Sequence, residues 1–314
     1  MSDDAPRISV VIPAYNAASF IRRAIHSTLV QTLAPYEIIV VDDGSKDGTA
    51  EFVERNYPAV RVFRQHNAGP GAARNHGVRE ASGDWIGLLD ADDMWLPEKL
   101  ERQAPFTTDP KVAIVHATEV GPEETPDRVT FESLWQRNCI LNSSVLVRRA
   151  TWESVGGCDE DRTVISVEDY NLWLRIAAAG WDIVTCREDL TVYICEVGHL
   201  TSRYEKYSRA EIANVDRIAS QLNLEPGRLE EKRIRTYDEQ GRLLLYNRCI
   251  GPARELLFHA LRRSPTTARL GWWLASCLPK PLLEARRAAR ERAFAALAAS
   301  ETRGLLPRAG SGIL

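Results

Sequence analysis

Residues 83–93 read Gly-Asp-Trp-Ile-Gly-Leu-Leu-Asp-Ala-Asp-Asp. The apolar run at 84–89 is too short for a helix and stops abruptly on carboxylates, which predicts a buried strand with an acidic end. Two upstream segments have the same form. ISVVIP at 8–13 leads into Ala14, Tyr15 and Asn16, and EIIVV at 37–41 leads into Asp42, Asp43, Gly44 and Ser45. Between them, 19–31 has helical spacing (Phe20, Ile21, Ala24, Ile25, Leu29), as do 48–56 and 69–81, with a further strand at 60–64. Continuous apolar strands alternating with helices predict βαβ units and a mainly parallel central sheet. Strands are also expected at 112–117 and 143–147, with a Pro/Glu-rich loop at 121–127. A helix is expected at 168–180, with Leu172, Trp173, Ile176 and Ala177 on one face and Gly180 closing it. Beyond 204 the pattern is helical, punctuated by Pro226, Pro252, Pro265, Pro279 and Pro281, and frayed after about 303.

The rest of the composition excludes classes rather than naming one. The 314 residues suit one large domain, or one domain with a smaller appendage. With 44% hydrophobic and 26% charged residues, collagen, disorder and coiled coil are poor readings. No run approaches 18 apolar residues, so no membrane-spanning helix is expected. The acidic start lacks the basic and apolar regions of a signal peptide. Cys139, Cys158, Cys186, Cys195, Cys249 and Cys277 form no CxxC pair and read as reduced thiols. The net charge of −3 hides a division: residues 1–250 carry −10 and residues 251–314 carry +7. Such a split suggests different partners for the two parts.

In open α/β sheets, ligands bind beyond the carboxyl ends of the strands. Two strand ends here hold five carboxylates (Asp42, Asp43, Asp90, Asp92, Asp93), which repel unless something offsets them. A divalent cation is the economical explanation. Asp90 and Asp92, flanking Ala91, point the same way in an extended segment and can face one metal. Oxygen ligands suit Mg²⁺ or Mn²⁺. The plain alternative is an Asp-rich turn. A sugar nucleotidyltransferase or a dinucleotide oxidoreductase would want a Gly-rich loop after strand one, where this chain has Pro13-Ala14-Tyr15-Asn16. A non-catalytic partner subunit with the same fold is a further alternative.

Taken in order, VVIPAYNAASFIRRAIHSTLVQT (10–32), EIIVVDDGSKDGT (37–49), NAGPGAARNHG (67–77) and GDWIGLLDADDMWLPEKL (83–100) resemble the inverting family 2 glycosyltransferases of the GT-A fold, over roughly residues 7–185. The resemblance implies a Rossmann-like, nucleotide-sugar-binding GT-A domain at 1–203, with a nucleotide-binding half at 1–118, an acceptor half at 119–203, and a helical C-terminal region at 204–314. It implies a nucleotide-diphospho-sugar donor, UDP- or dTDP-linked with guanine left open, a Mn²⁺ or Mg²⁺ ion, and a glycan or lipid-linked acceptor. Tyr15 would stack on the nucleobase, flanked by Pro13 and Ala14. Asp43 would read the base edge, or simply stabilise its turn. Arg74 would contact the base side or the phosphates, or pair with Asp43. Gly69 and Gly71 would let the backbone turn near the donor. Asp90 would lie on the ribose side of the D-x-D motif, and Asp92 would ligate the metal. Asp169 would be the catalytic base, with Glu168 as alternative base or acceptor-orienting group. The spacing from Ser166 to Asp169 also suits a helix cap. His199 would complete the metal site or be an ordinary loop residue. Trp95 and Trp173 could line a sugar pocket, Trp173 being the better core candidate; His66, His76 and His116 have structural readings.

The segment 253–292 mixes Leu, Trp272 and Trp273 with arginines, the composition of an interfacial helix. Two readings stay open: peripheral contact with a membrane, or packing on the catalytic domain or on a second subunit of a homodimer. The expected location is cytoplasmic, or on the inner face of the membrane. Nucleic acid is not an expected partner.

Overall fold

The structure is a computed structural model, described here for residues 5–118, 125–194, 204–279 and 281–282. The first strands form where the apolar runs lie: β1 (Ile8–Ala14), β2 (Glu37–Asp42), β3 (Arg61–Arg64) and β4 (Trp85–Leu88). They alternate with α1 (Ile21–Leu29), α2 (Thr49–Asn56) and α3 (Pro70–Glu80). A two-residue strand, β5 (Met94–Trp95), and the short helix α4 (Lys99–Gln103) lead to β6 (Val112–Ala117). There follow β7 (Arg128–Val129), α5 (Phe131–Gln136), β8 (Leu146–Arg148), α6 (Arg149–Ser154), α7 (Glu168–Ala178), β9 (Asp182–Cys186) and β10 (Thr191–Val192). Helices α8 (Tyr204–Gln221), α9 (Pro226–Tyr246), α10 (Ile250–Arg263) and α11 (Thr267–Ser276) follow among the described residues.

Eight strands make one sheet in the order β3-β2-β1-β4-β8-β6-β9-β7, and β5 pairs with β10. Neighbours from β3 to β4 are parallel, as are β6 and β9. Strand β8 enters antiparallel between β4 and β6, and β7 runs antiparallel on the edge. The result is the mainly parallel α/β sheet that the sequence predicts. Alternate residues of each strand serve opposite layers. Val11, Ile39, Val41, Ile86 and Leu88 pack with α3 and α7 residues, whereas Val10, Ile12, Ile38 and Val40 pack with α1 residues. Full burial on both faces is why these strands read as unbroken apolar runs.

Two departures matter for the site. The strand expected at 143–147 begins only at Leu146, because Asn142–Ser144 forms a 3-10 turn. Strand β9 was not expected at all. The chain divides into two compact units, Met1–Thr236 and Tyr237–Leu314. Within the first, α8 packs beside α7, and Arg217 pairs with Asp159 and Asp161. The all-helical region thus starts inside the unit that holds the sheet. Pro226 opens α9 and Pro252 sits in the first turn of α10, where a missing N–H costs nothing.

Candidate active site

The loops after β1 and β2 are tied together. Asn16, with a left-handed φ of 50°, donates its N–H to Ser45 Oγ at 2.9 Å and accepts from the Lys46 N–H at 2.9 Å. Ala17 N–H reaches Thr49 Oγ1, and Ala18 N–H reaches Asp47. This pinning presents Tyr15, 50% exposed, beside the end of β2. Ala14 is buried, and Pro13 half-buried, beneath it.

Asp42 accepts from the Ser45 N–H at 2.8 Å and closes its own turn. Asp43 is buried. Its carboxylate accepts from Gln65 Nε2 (2.8 Å), Ala68 N–H (2.8 Å) and Gly69 N–H (2.9 Å). A carboxylate offers about four acceptor sites, so the loop takes three of them. Asp43 is therefore foremost a clamp on the segment that starts α3.

The sequence offers Arg74 the base side, the phosphates or Asp43; its ion-pair partners are Glu168 and Asp90 rather than Asp43. Its side chain is 5% exposed, with Nη1 on Glu168 Oε1 at 2.5 Å and Nη2 on Asp90 Oδ1 at 2.7 Å. These two carboxylates, with Asp169 close by, hold its guanidinium charged against the cost of burial. Helix α3 reaches this position because it packs directly on β1: a Cβ on Gly77 would stand 2.4 Å from Val11 Cγ1. Gly69 (φ 99°) and Gly71 face Ile165 and Glu168, so their role is to let α3 close on the 159–168 segment.

Asp90 Oδ1 is gripped twice, by Arg74 and by Asn142 Nδ2 at 3.0 Å. Its backbone N–H donates to Ser143 Oγ, which in turn donates to Asp93 at 2.5 Å. Asp93 is buried, and burial together with the charge of Asp90 pushes its carboxyl up to about 7. It also accepts from the Ile194 N–H, so it anchors the loop rather than facing a ligand. Asp92 is half-buried and Ala91 buried. Asn142 and Ser143 were missed because an Asn-Ser-Ser turn carries no signal of its own. Asn75 was also missed; it clasps Cys158 through both backbone groups and joins α3 to the acceptor half.

Helix α7 carries Glu168 and Asp169 in its first turn. Glu168 is buried, its Oε1 on Arg74 and its Oε2 accepting from the Ser166 N–H at 2.7 Å. Ser166 has φ 90°, so its hydroxyl makes no helix cap, and the capping-box alternative is not realised. Asp169 is half-buried and accepts from the Tyr170 N–H at 2.6 Å. Burial, then the neighbouring Glu168 charge, push its carboxyl up to about 7, with Arg74 opposing.

Trp95 does not line a pocket. It is buried, bonds the Ser143 carbonyl through Nε1, and lies 4.2 Å from Lys99 Nζ. Trp173 is core, and His116 is a buried residue bonded to Thr185, its imidazole pushed down to about 4 by burial. His76 bonds Gln65. His199 lies outside the described residues. Among the described residues, no three His, Cys, Asp or Glu side chains form a metal cage. Asp92 and the remaining oxygen of Asp90 fit a hard cation that takes its other ligands from phosphate and water, the usual habit of Mg²⁺.

Comparison with known proteins bears on the fold. A family model described as Glycosyl transferase family 2 matches residues 9–157. The chondroitin synthase of Escherichia coli is 29% identical over 187 residues, covering 56% of this chain and 27% of that protein. The chain spans 27 to 62% of the length of the first curated relatives, uncharacterised glycosyltransferases of Rickettsia bellii, Rickettsia felis and Rickettsia typhi. The crystal structure of S. aureus TarS 1–349 in complex with UDP-GlcNAc has a TM-score of 0.60 at 18% identity, covering 96% of this chain and 93% of that one. The mannosyltransferase PcManGT of Pyrobaculum calidifontis, solved with GDP-Man and Mn²⁺, has a TM-score of 0.61 at 20% identity, covering 88% and 82%. The shared fold is GT-A.

Proposed function

We propose that this chain, whose residues 9–157 match the model of glycosyl transferase family 2, moves a sugar from a nucleotide-diphospho-sugar to an acceptor hydroxyl by single displacement with inversion. The observation that carries this is the fork of Arg74, which joins a donor-side carboxylate, Asp90, to the helix that bears Asp169. Glu168 is spent on Arg74 and the Ser166 N–H, so Asp169 is the carboxylate left to take the acceptor proton. Its elevated pKa suits a general base working near neutrality. Arg74 would then be a positioning residue, setting the carboxylates that do the work.

On the donor side, exposed Tyr15 would stack on the nucleobase above Pro13 and Ala14, and Asp43 would spend its one remaining acceptor site on the base edge. A base with an N–H edge is required, which uracil, thymine and guanine all offer; the UDP-GlcNAc complex of TarS supports UDP or dTDP, and the GDP-Man complex of PcManGT keeps guanine as the alternative. Asp92, with Asp90 and His199, would hold Mn²⁺ or Mg²⁺, in keeping with the Mn²⁺ bound by PcManGT. When bound, the metal offsets charge on the departing nucleoside diphosphate. The likeness to a chondroitin synthase supports a glycan acceptor in polysaccharide synthesis, with a lipid-linked acceptor as the alternative.

The test is a thermal-shift screen of nucleotide sugars with Mn²⁺, since a ligand that binds only the folded chain raises its midpoint by mass action. A UDP- or dTDP-sugar should stabilise the parent only with metal present. Asp92→Ala should lose the metal-dependent part, and Asp169→Asn should keep donor stabilisation but lose transfer. Transfer by Asp169→Asn, or full donor stabilisation of Asp92→Ala, would overturn these assignments.

A further inference from the structure

Among the described residues, α11 has an apolar face that none of them covers. Leu270, Trp273 and Leu274 recur at helical spacing along one side, and Leu278 follows just past the helix end. Of the ten residues of α11, only Ser276 is buried, and Leu270, Leu274 and Leu278 are each more than a third exposed. On α10, Phe258 is likewise exposed and rests against Trp273, with ring centroids 6.0 Å apart. Helix α10 turns its small residues inward, with Ala253, Leu257 and Ala260 buried. One turn beyond Phe258, on the same side of α10, stands exposed Arg262, followed by exposed Arg263. An exposed apolar stripe rimmed by cations is the signature of an interaction surface.

The charge identifies the partner. Residues 237–282 hold seven Lys and Arg against three Asp and Glu, and the whole stretch 251–314 carries +7. A two-fold pairing of this face with a second copy would bring these like charges together. An anionic bilayer instead meets arginine with phosphate and the Leu/Trp stripe with the acyl boundary. We propose that α10 and α11 form a docking surface for acidic lipid bilayers, with Phe258, Leu270, Leu274 and Leu278 entering the headgroup boundary and Arg262 and Arg263 on the headgroups.

Flotation of the full chain with vesicles tests this independently of any transferase activity. Phosphatidylcholine vesicles containing phosphatidylglycerol should carry the protein to the top of the gradient, and pure phosphatidylcholine should not. Binding should weaken about fivefold for each of Arg262→Gln and Arg263→Gln, and should fall with added salt. Leu274→Glu with Leu278→Glu should abolish it without lowering the thermal midpoint, since both side chains are exposed. Equal partition to neutral vesicles, no flotation at all, or undiminished flotation of the double glutamate variant would each overturn the proposal. A dimer seen by light scattering that the glutamate variant dissociates would overturn it too, by assigning the face to a second copy.

Discussion

Replacing Arg74 by methionine removes the cation from between Asp90 and Glu168. Asp90 is a third exposed at its side chain and keeps Asn142 as a donor. Glu168 is 4% exposed at its side chain and keeps only the Ser166 N–H, so the cost falls on that group. Breaking a buried ion pair by removing one partner costs about 3–5 kcal/mol. For a unit of this size that is a fall of roughly 6–20 °C in thermal midpoint. Fluorescence- or calorimetry-monitored melting measures it. Glu168→Gln in the Arg74→Met background should recover most of the loss, because a neutral amide still accepts from the Ser166 N–H and leaves no buried charge. Non-additivity above about 1 kcal/mol is therefore expected from the double-mutant cycle. The kinetic counterpart is a fall in kcat with little change in donor KM, and an acid limb of the pH–rate profile moved upward, since Arg74 holds the Asp169 carboxyl down. Lysine at 74 should rescue only partly, because it cannot fork to two carboxylates. Additive losses from Arg74→Met and Glu168→Gln, or a parent-like melting midpoint for Arg74→Met, would refute the reasoning.

The raised carboxyl of Asp169 has a stability signature. Its folded pKa of about 7 lies above the ordinary 3.8, so the folded state holds a proton that the unfolded chain loses, and stability falls as pH rises between those values. Asp169→Asn should thus melt above the parent near pH 8, by at most about 4 kcal/mol, and alongside it near pH 4; equal midpoints at both pH values would contradict this. Gly77→Ala should cost about 1–3 kcal/mol by overpacking against Val11. Val11→Ala in the same chain should restore the midpoint, and failure to do so would dissociate the glycine from that contact. Ser166 sits at φ 90°, where a β-branched side chain is a poor fit; Ser166→Gly should keep transfer and Ser166→Val should lose it, as a transfer assay and a melting curve together will report.

The sheet was legible because strands buried on both faces cannot alternate, so β1, β2 and β4 appear as runs such as ISVVIP and EIIVV. Strand β9 escaped because DIVTC is broken by Thr185, whose hydroxyl is satisfied by the Pro126 carbonyl, a partner 59 positions away. The two-residue strands β5, β7 and β10 have no pattern to read. The same limit divides the site. Strand-end carboxylates announce themselves locally, since position after a strand is enough to place them. Partners do not: Glu168 is 94 positions from Arg74, and Asn142 is 52 from Asp90. Asp43 looked free for a ligand because its three donors come from the far side of β3.

Why such a site should need a fork at all follows from the chemistry proposed. In a single displacement the attacking oxygen and the anomeric carbon must approach to about 3–3.5 Å in line, and an error of about 1 Å is costly. The groups that fix the two reactants sit on separate segments, Asp90 after β4 and Asp169 on α7. Separate loops would drift independently. A flexible lysine would join them only loosely, whereas the rigid fork of Arg74, on Asp90 and on Glu168 beside Asp169, ties the two segments together. The cost is a buried charge, which the two acids offset. Asn142 adds a second hold on the same oxygen of Asp90, which resists rotation of that carboxylate. Neither Arg74 nor Asn142 then has to touch a substrate for its loss to be felt in transfer, which is why contact with ligand is the wrong criterion for finding them.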